Sequence, residues 1–416
     1  MTATSWTTRA AVAITAAAFA VAAGCAVPGN PSPPRSGLSK LEVGDYSLEP
    51  PVAAPGGNEK YGRIVESVRF AEILAEPTDL DPALTVPGRG FGVAPLATPA
   101  HAGAYFVAPT RAVLERNGMV AGVAVDRSDK PVERGAPPGS ARMLTIMVLR
   151  FADSAAAQRA AQEIDAAETV ASPADEPVRI PEYPAAHGHW RPSGSTIAVS
   201  IARESFVVTV LAGLNAPDLG ALTTLARKVF DAQLPRLRDF VATPREKLAA
   251  LPLDRDGMIA RMVPQAPGRW PFPAVLGLRP NTGWDASVHA SGVVYGPRAS
   301  VMFIYGKTAK PDLVAVNGLD VLFRFPDSVS ARQSFDDAKR KGKANAESGS
   351  PLPSPGGIED IICYEEPAAA GPQPLRFSCR IVFGRYVATV FGRQLVSIQQ
   401  RAAAQYALLV NSEPGA

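Results

Sequence analysis

Histidine and cysteine are scarce in this chain of 416 residues, with four of the first and three of the second. So few imidazoles and thiols leave little room for a metal centre or a catalytic triad. The sequence also has no G-x-x-x-x-G-K-[ST] phosphate loop, no H-E-x-x-H helix and no G-x-S-x-G turn, the local arrangements that such chemistry uses. Charge of one sign is lacking as well, since 42 basic side chains stand against 39 acidic ones. A nearly neutral chain has no general electrostatic reason to bind nucleic acid. Beyond Cys25 no apolar run approaches the length of about 18 residues that spans a bilayer. The expectation is a protein that is not an enzyme, with no cofactor, no metal and no nucleic-acid partner.

What is present first is an address. Arg9 is the only charged residue before Cys25, and the 14 residues from Ala10 to Ala23 carry no charge. This is the layout of a signal peptide, too short to cross the membrane. It ends in Ala22-Ala23-Gly24-Cys25, small residues directly before a cysteine. Residues 1–24 are therefore read as a lipoprotein signal peptide and Cys25 as the lipidated first residue of the mature protein. The alternative is a secreted chain cleaved near Ala23, with Cys25 a free thiol. Lipidation would hold the chain to the extracytoplasmic face of the cell membrane. Residues 25–60, with Pro28-Gly29-Asn30-Pro31-Ser32-Pro33-Pro34, read as a tether that takes up order around Leu41 to Tyr46.

With Cys25 lipidated, Cys363 and Cys379 remain as an even pair in an oxidising compartment. Both lie in strand-like stretches joined by a Pro/Gly-rich connection, so neighbouring antiparallel strands would bring them into a disulfide. Two separately buried thiols are the alternative. The 40 prolines are about twice the usual share and fall largely in connections.

Tyr61, Ile64, Val65, Val68 and Ala71 recur at helical spacing, and Asp81-Pro82-Ala83-Leu84 follows as a turn. Together with Leu41 to Tyr46, Asp254-Arg255-Asp256-Gly257-Met258-Ile259-Ala260-Arg261 and Tyr295-Gly296-Pro297-Arg298, these stretches resemble a family of actinobacterial lipoproteins of mycobacterial and nocardial type. That family is a domain of unknown function, and the resemblance brings no catalytic residues with it.

The chain also repeats itself. Arg150-Phe151-Ala152-Asp153-Ser154 recurs as Arg324-Phe325-Pro326-Asp327-Ser328, each after an apolar run and each opening a helix with a good N-cap. Strand-like Phe206 to Val210 answers Tyr386 to Val390, each behind another strand, and closing helices pair Leu222, Ala226, Phe230 and Gln233 with Ile398, Ala402, Tyr406 and Leu409. Asn117-Gly118 and Asn317-Gly318 add an echo ahead of each unit, the first copy inserting an extra strand pair around residues 119–147. The reading is an α+β protein of two similar tandem domains, 61–242 and 243–416. Each is a mainly antiparallel sheet, apolar on one face and covered there by helices. Phe151 should match Phe325, Val210 match Val390 and Phe230 match Tyr406.

A groove between the domains, lined by Trp190, Trp270 and Trp284 if their loops converge, is the candidate binding site, because amphipathic indoles favour half-buried contacts. His187-Gly188-His189 reads as a polar loop, and Gly88-Arg89-Gly90-Phe91-Gly92 as a turn. Asp254-Arg255-Asp256-Gly257 lacks the glutamate of a calcium loop and reads as a capping turn. The functional expectation is an envelope lipoprotein that binds a protein partner or a lipid or wall component. A small-ligand carrier with an apolar cavity, or a hydrolase without a recognisable motif, are the alternatives. Replacing Cys25 with Ala removes the only thiol positioned for lipid, so the variant is expected in the soluble fraction after fractionation. Retention on membranes through a high-salt wash would contradict the anchor.

Overall fold

The computed structural model describes residues 35–87, 93–133, 135–137, 139–277, 288–300, 310–344, 349–356, 358–366 and 375–412. Cys25, Trp284 and the Gly88 to Gly92 stretch lie outside the described residues. Among the described residues no helix is long and apolar enough to cross a membrane.

The first half opens with helix α1 (Glu59–Arg69) and holds strands β1 (Val86–Pro87), β2 (Val93–Pro95), β3 (Ala121–Ser128), β4 (Met143–Arg150), β5 (Glu176–Pro177), β6 (His187–Arg191), β7 (Thr196–Arg203) and β8 (Phe206–Gly213). They form an antiparallel sheet in the order β1-β3-β4-β8-β7-β6-β5, with β2 also on β3. Every residue of β8 is buried, which a strand shows only when both faces of its sheet are covered. The single apolar face expected from the sequence is thus corrected. Helix α2 (Ser154–Ala171) packs Ala157, Ala160 and Ile164 on one face, against Met147, Leu149 and Leu211. Helix α3 (Leu219–Arg238) packs Leu222, Ala226, Val229 and Phe230 on the other, against Ile146, Val148, Val208 and Val210.

The second half contains a hairpin of β9 (Ala274–Gly277) and β10 (Val288–Ser291), then β11 (Val293–Tyr295), β12 (Leu313–Asn317), β13 (Asp320–Arg324), helix α4 (Ser328–Ala344), β14 (Ser350–Leu352), β15 (Ile361–Glu365), β16 (Phe377–Phe383), β17 (Tyr386–Gly392) and helix α5 (Leu395–Asn411). The sheet order β11-β12-β13-β17-β16-β15-β14 repeats β3-β4-β8-β7-β6-β5 of the first half from β12 onward. Again there is a helix on each face. Ala331 and Phe335 of α4 meet Phe325, Val382 and Val387, while Ile398, Ala402 and Leu409 of α5 meet Cys379, Ile381 and Val390.

The repeated Arg-Phe-x-Asp-Ser runs occupy equivalent places. Asp153 accepts a hydrogen bond from the Ala156 amide at 2.8 Å and Asp327 from the Ser330 amide at 2.7 Å, so both cap their helices. The Phe151 and Phe325 amides each donate across the sheet, to the carbonyls of Ser205 and Arg385, both at 2.8 Å. Arg150 faces Phe206 as Arg324 faces Tyr386, which aligns Val210 with Val390.

Three finer expectations are corrected. The β3–β4 pair is no insertion, because β12–β13 answers it; the first copy has only a longer connection between its strands. Asn117-Gly118 follows a helix before β3, whereas Asn317-Gly318 turns β12 into β13, so the two do not correspond. The closing helices, finally, align one turn away from the pairing of Phe230 with Tyr406. Gln233 accepts from the Ala75 amide at 2.8 Å and donates to the Ile73 carbonyl at 2.8 Å. Gln405 does the same with the Val263 amide at 2.9 Å and the Arg261 carbonyl at 2.6 Å. These two clamps make Gln233 and Gln405 the equivalent residues, and place Phe230 opposite Ala402.

Cys363 and Cys379 are direct partners in the register of β15 and β16 and form a disulfide, with Cα atoms 4.1 Å apart. Gly188 and Val199 hold the corresponding positions in the first half. The bridge spans 16 residues, and closing a loop of that size contributes about 3 kcal/mol in the chain-entropy account.

One of the buried clusters runs across both halves. Ile64 and Val68 of α1 share one buried cluster with Val293 and Tyr295 of β11 and Val314 and Val316 of β12. The end of the tether joins the second half: Leu38, Leu41, Val43 and Tyr46 pack on its core, and Asn411 donates to the Leu48 carbonyl at 2.9 Å.

Candidate functional site at the junction of the halves

Helix α1 organises the junction. Asn58 caps it by accepting from the Tyr61 amide at 2.9 Å. Ile64 and Val68, four residues apart, enter the shared core, while Val65, Arg69 and Glu72 follow one another at i, i+4 and i+7 along another face. Gly62 lets the connection between the halves lie directly on the helix, since a Cβ there would stand 2.0 Å from the Leu248 carbonyl oxygen.

Glu66, on the same helix, has no solvent exposure. Its carboxylate accepts from Arg69 at 2.5 Å, from Arg150 at the end of β4 at 3.2 Å, and from both the amide and the hydroxyl of Thr243 at 2.8 Å. Arg150 also donates to the Thr243 carbonyl at 2.7 Å. Burial lowers the Arg150 pKa against the favourable pull of Glu66, with Arg69 adding repulsion. One carboxylate therefore ties α1, the first sheet and the interdomain connection together.

A cavity of about 530 Å³ opens beside this knot. Its walls are Val65 and Val68 of α1, Phe240 beyond α3, Leu251, Pro252 and Leu253 of the connection, and Val293 and Val294 of β11. Among the described residues that line it, Arg69, Glu72 and Arg255 bring charge. Arg69 lies over the Phe240 ring, 5.2 Å from its centroid, a cation–π arrangement that holds the guanidinium against the wall.

Two of the motifs singled out in the sequence meet here. In Tyr295-Gly296-Pro297-Arg298, the Arg298 and Ala299 amides each donate to one Glu72 oxygen, at 3.1 Å, and Arg298 Nε donates to the Leu74 carbonyl at 3.1 Å. Gly296 permits this approach, because a Cβ would lie 2.6 Å from the Glu72 carboxyl carbon. In Asp254-Arg255-Asp256-Gly257, Asp254 does not cap the short turn Arg255–Gly257 as expected but accepts from the Ile259 and Ala260 amides beyond it, at 2.7 and 3.0 Å, and burial raises its pKa against those bonds. Asp256 pairs with Arg324 at 2.9 Å. Both aspartates thus serve the fold, and the exposed Arg255 is left lining the cavity with no ion pair among the described residues.

Of the tryptophans expected at the groove, Trp190 and Trp270 do not converge. Trp190 is a β6 residue buried in the first core, paired across the sheet with Ile197, and Trp270 packs against the second core. Indoles supply bulk to each half separately, so the groove has aliphatic walls and one phenyl ring instead. His187-Gly188-His189 is also no loop but lies in β6. His189 is buried there, its Nδ1 2.9 Å from Asp165 Oδ1, beside the Arg191–Asp175 ion pair at 2.8 Å. Glu168 borders this smaller hollow of about 190 Å³, and burial raises its pKa. Among the described residues no group of three or more His, Cys, Asp or Glu is placed to hold a metal ion. Glu66, Glu72 and Phe240 were missed from sequence; the i, i+4, i+7 spacing of Val65, Arg69 and Glu72 was the available signal.

The fold and this junction define a duplicated α+β protein with a ligand-sized cavity at its seam. The chain belongs to the family described as a domain of unknown function (DUF7373), whose N-terminal model matches residues 53–253 and whose C-terminal model matches residues 258–412. No curated protein matches it. Among solved structures it is similar to the extracellular domain of PknH from Mycobacterium tuberculosis, at 12% identity and a TM-score of 0.23, over 40% of this chain and 94% of that one.

Glu66→Gln leaves the largely buried Arg150 without its counter-charge and the partly exposed Arg69 without its partner. The cost is expected to be about 3 kcal/mol, read as a fall in the urea midpoint at unchanged slope. A midpoint equal to that of the parent protein would contradict the role given to Glu66.

Proposed function

We propose that this protein is a non-catalytic, membrane-anchored envelope lipoprotein that binds an envelope component in the cavity between its halves. The observation that carries the reading is the cavity itself: apolar walls from α1, the connection and β11, a few charged groups, and a volume of about 530 Å³. Sites for small molecules span about 300–1,000 Å³ and combine apolar walls with a few placed polar groups. That match favours a small ligand over the face of a protein partner, and so brings the carrier reading close to the envelope-binding one. The disulfide supports folding in an oxidising compartment, and the sequence before Cys25 supports export and anchoring.

Native mass spectrometry of protein extracted from the envelope tests the reading. A non-covalent adduct of small mass is expected on the parent protein and its loss is expected in Val65→Trp, where an indole from a half-buried wall position fills the cavity. Absence of any adduct, or an adduct unaffected by that substitution in a folded variant, would refute it.

A further inference from the structure

The charged side chains that line the cavity are two guanidiniums and one carboxylate, Arg69, Arg255 and Glu72. Arg69 shares Glu66 with Arg150 behind the wall. Neither carboxylate forms an ion pair with Arg255. Glu66 is enclosed by Arg69, Arg150 and Thr243, and both Glu72 oxygens accept amides of the second half. Arg255 Nη1 and the Glu72 carboxyl carbon both approach Gly296, 2.9 and 2.6 Å from where its Cβ would stand, but the two side chains form no ion pair. The two aspartates flanking Arg255 are also engaged, Asp254 by backbone amides and Asp256 by Arg324.

A cation at an apolar mouth with no ion pair of its own is a recognition element. A guanidinium offers several donors in a fixed plane that matches an anionic head group, and the pairing strengthens where apolar walls keep water away. Valine, leucine and proline side chains behind it can receive only hydrocarbon. Resting on the cavity-binding reading above, we infer that the ligand is a single-chain amphiphile with a carboxylate head, its chain among Val65, Val68, Leu253 and Val293 and its head at Arg255. Arg69, held by Glu66 and Phe240, contributes field rather than a free donor.

The test titrates the exported full-length protein with dodecanoate, dodecanol and dodecyltrimethylammonium in calorimetry. Dodecanoate is expected to bind about tenfold more tightly than either other chain, the order of one charge-assisted pair at a partly solvated rim. Arg255→Glu should erase or reverse that preference while the affinity for dodecanol stays the same. Arg255 is exposed, so this variant is expected to keep the fold, and an unchanged melting temperature checks that. Equal affinity for the three chains, or a dodecanoate preference that survives Arg255→Glu, would overturn the inference and leave the cavity-binding reading standing. If none of the three chains binds the parent protein, the inference falls, and the adduct test decides the cavity-binding reading separately.

Discussion

A carboxylate sealed from water must be compensated wherever it sits, and Glu66 is compensated by groups from three different parts of the chain. Arg69 comes from its own helix, Arg150 from the end of a central strand, and Thr243 from the connection between the halves. An unpaired charge in that place would cost several kcal/mol. The folded arrangement in which all three partners converge is therefore strongly selected over its neighbours. The convergence fixes where the connection leaves the first half, and so where Leu251 to Arg255 run. From there Arg298 and Ala299 close on Glu72, and the shared cluster of Ile64, Val68, Val293 and Tyr295 completes the seam. The cavity is what remains where the connection arches over α1 without filling the space beneath it.

Duplication explains why such a seam exists. Each half covers its sheet with one helix per face and clamps the segment preceding its strands by a glutamine in its closing helix, Gln233 or Gln405. The copies differ where the chain has been put to separate use. A disulfide in the second half stands where Gly188 and Val199 pack in the first. In the first half, helix α1 lies across the joint.

Much of this was legible in the residues. The Arg-Phe-x-Asp-Ser runs predicted two capped helices and a repeat, and their amides form the same hydrogen bonds in both halves. Cys363 and Cys379, flanked by strand-forming residues, predicted their own pairing. What spacing could not resolve was a slip of one helical turn, because Phe230 and Tyr406 satisfy the 3.6-residue period as well as the true alignment does; only the glutamine contacts discriminate. The second buried face of each sheet was obscured because β8 reads as a continuous apolar run, which leaves a strand's two faces indistinguishable. Trp190 and Trp270 invited a shared groove on size alone, yet indoles are as useful for filling a core. Two of the three partners of Glu66, Arg150 and Thr243, lie 84 and 177 residues away in sequence, a relation no local pattern carries.

The claim that everything else rests on is that the duplicated halves form one cooperative body across the seam that Glu66 holds. Differential scanning calorimetry of the intact protein addresses it directly. One transition is predicted, with a calorimetric to van't Hoff enthalpy ratio of about 1. Two resolved transitions, each with the enthalpy of a single half, would contradict it.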